Sequence, residues 1–244
     1  MNICLFFPEE LNKPLSVKDE RGQHIIKVLH KKEGESFTAG VAGGKAGKAV
    51  ITKIDDGNIW FDFSEETDGK KLFPLKMIIG FPRPIQLKRL LRDMAALGVS
   101  EVHLTATELT EKSYLSSDLA TTDAGRKMLY DGTVQAASTH IPELFIHKSL
   151  KECIEYIRAN SPSGTRLCAL DNIEPSTNLG SLSFDLESGA VAAIGSERGW
   201  TQAERQLMKD SGFVLLGMGS RVMRTETAAT VAASIILNGM GCLS

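Results

Sequence analysis

Two loops of the chain carry the residues best able to do chemistry, and each comes directly after an apolar run that predicts a strand. One loop lies in AAIGSERGW at 192–200, and the other lies in LLGMGSRVMRTETAA at 215–229. Ligands of α/β proteins bind beyond the carboxyl ends of strands, where glycine lets the backbone approach them closely. The sequence therefore predicts a ligand site built from these two loops.

The second loop ends in charged and hydroxyl side chains that precede an alanine-rich helix. Arg224 and Glu226 alternate with Thr225 and Thr227, and either threonine is a candidate cap for the helix. The N-terminus of such a helix favours an anion or the polar end of a ligand. The alternative is that Arg224 and Glu226 form a structural ion pair beside the cap, and spacing alone does not separate the two interpretations.

Three other patterns lack a part that their chemistry needs. The glycine-rich run 40–48 has no GxxxxGK(S/T) spacing and leads into a strand, so it predicts a hairpin turn whose Lys45 and Lys48 can reach phosphate. The run that begins at Gly217 lacks the third glycine and the following acid of a dinucleotide-binding loop. No GxSxG occurs, and the five histidines form no HExxH or i, i+4 pair. Metalloprotease and serine-hydrolase chemistry are thereby disfavoured, and no metal site is predicted.

The composition bounds the class of protein. The chain has 244 residues, of which 42% are hydrophobic and 24% charged, as in an ordinary globular protein of one large or two smaller domains. Its four cysteines are scattered, which favours reduced thiols over a disulfide or zinc framework. No uncharged run is long enough to span a bilayer and the N-terminus carries no secretion signal, so a cytoplasmic protein that does not contact a membrane is expected.

The net charge of −2 conceals an asymmetry along the chain. Residues 1–92 carry 16 Lys and Arg against 12 Asp and Glu, and the remainder carries 12 against 18. The stretch from Lys70 to Arg92 contains seven basic residues and no acid. Such a stretch can bind the phosphates of a nucleic acid, but a solvated helix face is the commoner explanation.

The first 70 residues are predicted to form a small β-barrel. Short apolar runs separated by glycine, aspartate and lysine are typical of closely spaced strands, and Asp56-Gly57 between two of them is a hairpin signal. The predicted strands lie at the N-terminus and at 24–29, 35–41, 48–54 and 58–63.

After Pro74 the pattern changes to strands that alternate with helices, which predicts a mainly parallel α/β sheet with helices on both faces. A stripe of leucines with Met94 predicts a helix that Gly98 ends, and Thr201 with Glu204 forms a capping box at the start of another. Further helices are predicted at 121–138, 149–159 and 225–241. Strands are predicted at 76–81, 101–107, 144–149, 166–170, 190–195 and 213–219.

Two segments resemble the characteristic loops of a known family. IGSERGW at 194–200 is similar to an IGPEGGF loop, and LGMGSRVMRTETA at 216–228 is similar to the LGxRILRTETA loop of the SPOUT methyltransferases, in particular the ribosomal RNA small subunit methyltransferase E family. LGVSEVHLTATELTEKS at 97–113 and HIIKVLHKKEGE at 24–35 resemble two further segments of that family. The resemblance covers most of the chain in the right order.

The resemblance implies a PUA-like β-barrel for RNA binding over 1–72 and a SPOUT methyltransferase domain over 73–244, with a C-terminal trefoil knot. It implies an enzyme that uses S-adenosylmethionine (SAM), without a metal, to methylate N3 of a uridine in the 16S ribosomal RNA of the small subunit. The free RNA or the assembled small ribosomal subunit would be its substrate, and the enzyme would be a homodimer.

The resemblance also implies roles for individual residues. Arg224 would stabilise the negative charge that develops on the uracil oxygens, and Glu226 is the candidate proton acceptor. The residues expected to bind SAM are Leu170, Gly195, Ser196, Glu197, Gly199, Leu216, Gly217, Arg221, Val222, Met223, Thr227 and Ala228. The residues expected to bind RNA are Lys27, Lys31, Lys32, Lys45, Lys48, Arg83, Lys88 and Arg89.

Several positions depart from the family pattern. Ser196, Arg198 and Trp200 replace the usual proline, glycine and phenylalanine, and Ser138 and His30 stand where arginines are usual. These departures motivate an alternative from another class, a divergent RNA- or ribosome-binding protein with weak or different methylation activity. A changed target, such as transfer RNA or a ribose hydroxyl, is a third hypothesis. SAM binding followed by methyl transfer to ribosomal RNA distinguishes them.

Overall fold

The computed structural model describes residues 1–121 and 123–243, and it divides into two compact units. The first unit comprises Met1–Lys71 together with Tyr130–Ile141. The second comprises Leu72–Leu129 together with Pro142–Ser244. Each unit has its own sheet and its own core.

The first unit is a curled five-stranded sheet of mixed direction. Its strands are β1 (Cys4–Phe6), β2 (Leu15–Ser16), β3 (Ser36–Val41), β4 (Ala46–Asp55) and β5 (Asn58–Thr67). They lie in the order β1-β3-β4-β5-β2, with β1 parallel to β3 and the other pairs antiparallel. No pairing between β1 and β2 closes the sheet among the described residues, so it forms a half-barrel around a core that includes Phe37, Ile51 and Phe61.

The hairpin expected at Asp56-Gly57 is present. Asp55 pairs with Asn58, and both turn residues have positive φ, 41° at Asp56 and 84° at Gly57. Glycine adopts this backbone conformation without strain and aspartate tolerates it, which explains why this dipeptide joins β4 to β5. The glycine-rich run 40–48 likewise forms the turn between β3 and β4.

The strand predicted at 24–29 is wrong, because this segment is helical. A short helix α1 (Glu20–Gln23) begins after Asp19, whose carboxylate accepts a hydrogen bond from the N–H of Arg21. A π-helical turn over His24–Val28 continues it. The branched residues of HIIKVL favour a strand by propensity, but the cap upstream starts a helix and only Ile25 of the run is fully buried.

The second unit alternates strands with helices along the chain. Its strands are β6 (Phe73–Gly80), β7 (Val99–Thr105), β8 (Glu143–His147), β9 (Arg166–Leu170), β10 (Thr177–Asn178), β11 (Ala190–Ile194) and β12 (Val214–Gly217). Its helices are α2 (Pro84–Leu97), α3 (Lys112–Leu115), α4 (Asp118–Thr121), α5 (Ala124–Gln135), α6 (Leu150–Ala159), α7 (Gln202–Asp210) and α8 (Thr225–Gly239), of which α5 belongs to this unit only up to Leu129. The predicted helix 121–138 is therefore found as α5 within narrower bounds, and Thr122 lies outside the described residues.

All strands of the second unit lie in one seven-stranded sheet, in the order β10-β12-β9-β11-β6-β7-β8, and every pair is parallel. The predicted parallel α/β sheet is confirmed. Helices α6 and α7 pack through Ile154 and Met208 on the face that carries Ile78 and Val191. Helices α2 and α8 contact each other and the sheet, with α8 against β6 and β11, so both faces are covered.

Two helix ends follow the sequence signals. Gly98 ends α2 in the left-handed conformation with φ 77°, and its N–H bonds to the carbonyls of the last turn. Thr201 and Glu204 form the expected capping box at the start of α7. Among the described residues, no helix is long and apolar enough to cross a membrane.

Candidate functional site

Strand order brings three loops of the second unit to one edge of the sheet. Strands β12, β9 and β11 are neighbours and run in the same direction, so their carboxyl ends open together. The loops that follow them line a cavity of about 620 Å³ with the first residues of α2 and α8. This is the position at which a parallel α/β sheet binds ligands.

The residues predicted for the cofactor and for catalysis mostly meet in this cavity. Both Arg224 and Glu226 line it. Ten of the twelve predicted cofactor residues line it as well: Leu170, Gly195, Ser196, Glu197, Gly199, Leu216, Arg221, Val222, Met223 and Ala228. Gly217 and Thr227 do not, since Gly217 packs against Pro175 and Asn178 and Thr227 is exposed on α8.

The loop after β11 is a tight turn that depends on small residues. The N–H of Gly199 donates to the carbonyl of Ser196 over 2.9 Å, and Gly199 has a φ of 73°. A Cβ on Gly195 would lie 3.0 Å from the backbone of Gly199, and a Cβ on Gly80 would lie 2.5 Å from the nitrogen of Ser196. Backbone therefore forms this wall of the cavity, and larger residues at Gly80 or Gly195 would displace it.

The cap predicted for α8 is wrong. The N-cap is Arg224, and its side chain makes no capping hydrogen bond. Thr225 is the first helical residue, and its hydroxyl donates to the carbonyl of Gly195 over 3.3 Å, which ties α8 to the loop after β11. Because no side chain caps this end, the free N–H groups of the first turn and the helix dipole give the cavity a partial positive charge.

Trp200 and Arg205 fix the end of β9 from behind. The indole N–H of Trp200 donates to the carbonyl of Leu170 over 3.0 Å, and the ring is almost completely buried. The guanidinium of Arg205 forms a buried ion pair with Asp171. Burial by itself raises the pKa of Asp171, but the hydrogen bonds from Arg205 and from the N–H of Ile173 outweigh it, so the pKa lies below its usual value and the carboxylate stays charged.

Arg224 and Glu226 are not a structural ion pair. Within the part of the chain that the structure describes, no ion pair joins Arg224 to any carboxylate, and its side chain is exposed. The free guanidinium is therefore available to a bound molecule, which removes the structural alternative left open by the spacing.

Sequence reasoning missed several residues that line the cavity. Asp171, Asn172 and Ile173 follow β9 directly, and Gln86 lies in the first turn of α2. The signal for the first three was present, because residues after a buried parallel strand belong to the same sheet edge as the two glycine loops. Nothing in the sequence pattern indicates that the start of α2 reaches this cavity.

A buried polar chain lies on the same sheet, away from the residues that line the cavity. Nδ1 of His103 lies 3.0 Å from Nε2 of His147, and Nε2 of His103 lies 2.9 Å from a carboxylate oxygen of Glu101, which also pairs with Lys76. The thiol of Cys153 lies within 4.8 Å of both rings. The sequence does not reveal this cluster because it forms only when β7 pairs with β8.

The residues predicted for RNA fall into different environments. In the first unit, Lys45 pairs with Asp68 and Lys48 approaches Glu66 at 3.9 Å, whereas Lys27, Lys31 and Lys32 form no ion pair among the described residues. These three lysines flank the exposed side chains of Val28 and Leu29. In the second unit, Lys88 and Arg89 lie exposed on α2, with Arg89 near Asp93. Arg83 lines the cavity and its Nε donates to the hydroxyl of Tyr114.

Comparison with known proteins identifies the family. Residues 69–237 match the family model described as RNA methyltransferase domain. The chain is 41% identical to the ribosomal RNA small subunit methyltransferase E of Treponema pallidum, over 97% of this chain and 91% of that protein. The chain belongs to the ribosomal RNA small subunit methyltransferase E family. It is also 33% identical to the ribosomal RNA small subunit methyltransferase E 1 of Borreliella burgdorferi, over 97% of both chains.

The fold agrees with membership of the ribosomal RNA small subunit methyltransferase E family. The crystal structure of the Neisseria gonorrhoeae methyltransferase E bound to S-adenosyl methionine superposes with a TM-score of 0.79 at 20% identity, covering 98% of this chain and 97% of that one. A methyltransferase from Legionella pneumophila in complex with SAM gives a TM-score of 0.76, also at 20% identity, covering 98% of this chain and 97% of that one. The half-barrel followed by a parallel α/β sheet is thus the fold of this methyltransferase family.

Proposed function

We propose that the protein transfers the methyl group of SAM to N3 of a uridine in the ribosomal RNA of the small subunit. The observation that carries the proposal is the cavity at the ends of β9, β11 and β12, where Arg224 and Glu226 stand beside loops that fit a cofactor. Membership of the methyltransferase E family and the SAM bound by two structural neighbours support it.

The residues of the cavity fit SAM. A volume of about 620 Å³ lies within the range of small-molecule sites, and the glycine loop at 195–199 lets main-chain groups contact an adenosine. We assign cofactor binding to the predicted residues that line the cavity, except Arg221, whose exposed side chain is left to contact the RNA. Gly217 packs behind the lining against Pro175 and Asn178. SAM supplies an electrophilic methyl group on a sulfonium, and the uncapped N-terminus of α8 favours a negatively charged ligand group.

The chain's own side chains would act on the uridine. N3 must lose its proton, and the negative charge then spreads onto the two carbonyl oxygens of the base. Arg224 would stabilise that charge, because it is cationic, exposed and without an ion-pair partner among the described residues. Glu226 lines the same cavity and is the proposed acceptor of the N3 proton. Positioning of the base against the methyl group supplies much of the remaining rate.

We assign RNA binding to a PUA-like domain over 1–72, through Lys27, Lys31 and Lys32, and SAM binding to a SPOUT domain over 73–244 with a trefoil knot. The RNA, free or in the assembled subunit, would be the substrate of a homodimer in the cytoplasm. The salt bridges of Lys45 and Lys48 make these two lysines weaker candidates for phosphate contacts.

The test is nucleoside mass spectrometry of small-subunit ribosomal RNA from cells with and without the protein. Loss of N3-methyluridine on deletion, restored by the wild type and by Arg166→Ala but not by Arg224→Ala, is expected. Arg166 is a matched control because it is exposed in the same unit but does not line the cavity. An unchanged profile would refute uridine N3 as the target and favour a binding protein or another RNA.

SAM binding helps to distinguish a binding protein from an enzyme that methylates another RNA. Calorimetry on the purified protein should show binding by the wild type and by Arg224→Ala with affinities within about twofold, since Arg224 acts on the base. SAM binding without any methyl transfer to ribosomal RNA or subunits would support the divergent binding protein suggested by Ser196, Arg198 and Trp200.

A further inference from the structure

The mouth of the cavity carries an excess of unpaired positive charge. Arg198, Arg221 and Arg224 all line the cavity and are exposed, and none of them forms an ion pair with a described residue. Many other surface cations of the described chain lie beside a carboxylate, as Lys151 lies beside Glu155. Of the arginines that form no ion pair with a described residue, Arg158 and Arg166 lie outside the cavity lining, and the others line the cavity.

The acids of the cavity do not neutralise these arginines. Asp171 is held by Arg205 in a buried ion pair, and a carboxylate oxygen of Glu197 accepts the backbone N–H of Arg83 over 2.8 Å. Glu226 is the remaining acid of the lining. Arg83 also lines the cavity, so the lining holds four arginines against three acids, and Arg205 neutralises one of these acids. The resulting positive charge attracts a polyanion to this edge of the sheet.

Arg198 and Arg221 stand on opposite sides of the cavity. Arg198 belongs to the loop after β11 and Arg221 to the loop after β12, and β9 lies between these two strands in the sheet. A nucleotide that enters over the end of β9 therefore passes between the two arginines. Its base can reach Arg224 only if it has left its stack, and the phosphates on its two sides then stay at the mouth.

We infer that Arg198 and Arg221 form a phosphate clamp, each binding one of the RNA phosphates that flank the target nucleotide. The inference rests on the proposed function and assigns the Arg221 side chain to RNA rather than to the cofactor. Planar guanidinium groups bind phosphate through paired hydrogen bonds, which fixes the backbone while Arg224 acts on the base. The exposed side chains of Ile173 and Val222 beside the arginines offer apolar surface to the neighbouring sugar.

The clamp predicts a specific pattern in Arg198→Gln and Arg221→Gln. The KM for ribosomal RNA or subunits should rise about three- to tenfold in each variant, with kcat within twofold. The slope of log affinity for RNA against log salt concentration should become shallower by about 0.7 to 0.9 for each arginine removed. SAM affinity by calorimetry should stay within twofold of wild type. Arg198→Lys should retain the salt slope, because the charge remains.

Arg158→Gln is the matched control, since Arg158 is exposed on α6, outside the cavity lining and without an ion pair among the described residues. A wild-type salt slope in both clamp variants would overturn the inference, as would a loss of SAM affinity with unchanged RNA binding. RNA binding is measured without SAM, so the clamp is tested even if no methyl transfer occurs. If the wild type leaves uridine unmethylated but the variants show the shallower salt dependence of RNA affinity, the proposed function is refuted and the phosphate clamp is supported.

Discussion

At the scale of single residues, Arg224 occupies a position that is unfavourable for a cation. It is the N-cap of α8 with φ −67° and ψ 155°, and it gives the helix no capping hydrogen bond. A positive charge at a helix N-terminus opposes the helix dipole, and arginine lacks the short acceptor that a cap requires. The residue that the proposed chemistry needs is therefore a poor choice for the stability of α8.

This conflict predicts that Arg224→Ser stabilises the protein while inactivating it. Serine supplies a cap acceptor and removes the cation, so the free energy of unfolding in urea should rise by about 1 kcal/mol. Methyl transfer should be lost, since no cation remains beside the base. Arg224→Lys, which keeps the charge and adds no cap, should not gain stability. A destabilised Arg224→Ser would mean that the side chain has a structural role.

Residue types and spacing predicted most of the cavity lining, but not the contacts behind it. The glycines, Arg224 and Glu226 are recognisable because loops after buried strands must converge. The cap at Thr225 was wrong because its hydroxyl bonds to the carbonyl of Gly195, thirty residues earlier in the chain. Such a partner is fixed by tertiary structure, and no local pattern reports it.

At the scale of elements, apolar runs bounded by turn residues predicted the strands well where those runs are buried. Strand β11 is buried along its whole length and β9 is buried from Cys168 to Leu170, and their bounds are close to the predicted ones. The strand predicted at 24–29 was wrong because the branched residues suggest a strand, while only Ile25 is fully buried. The capping side chain of Asp19 is the local signal for a helix, and the prediction of a strand did not take it into account.

The pairing of β7 with β8 also predicts a pH dependence of stability. Burial and the neighbouring His103 lower the pKa of His147, although Glu152 acts in the opposite direction. The folded state then binds this proton less tightly than the unfolded state does. Stability should be unaffected above about pH 6.5, the ordinary value for histidine, and should fall as the pH drops below it.

The measurement is urea unfolding between pH 5 and 8, with His147→Gln as the comparison. In His147→Gln, the free energy of unfolding should fall less below pH 6.5 than it does in the wild type. His24 in the first unit also has a pKa lowered by burial, so His24→Gln is the control that separates the contributions of the two units. An identical decline in wild type and His147→Gln would exclude His147 as its source.

At the scale of the whole molecule, the cavity is lined only by residues of the second unit. The chain's two tryptophans report on different units, because Trp60 lies in the first and Trp200 in the second. Trp60→Phe and Trp200→Phe therefore give single-tryptophan proteins in which the unfolding of each unit is followed by fluorescence.

In these proteins, SAM should stabilise the second unit selectively. Ile51→Ala in the first unit and Ile78→Ala in the second each remove a fully buried side chain and should cost about 2–5 kcal/mol. SAM at one hundred times its Kd should restore about 2.7 kcal/mol to the unit that contains Ile78 and nothing to the unit that contains Ile51. Equal stabilisation of both would mean that the units unfold as one.

The strand order has a consequence for the protein as it is synthesised. Strand β6 lies between β7 and β11, yet Ala190 at the start of β11 follows Gly80 by 110 residues. At about 5–20 residues per second, the β11-facing edge of a newly made β6 waits for roughly 5 to 20 s before its partner leaves the ribosome. During that time an apolar strand has unpaired backbone groups, which is a hazard for aggregation of the nascent chain. A slow codon between β7 and β11 should therefore lower the yield of folded protein more than one placed after β12.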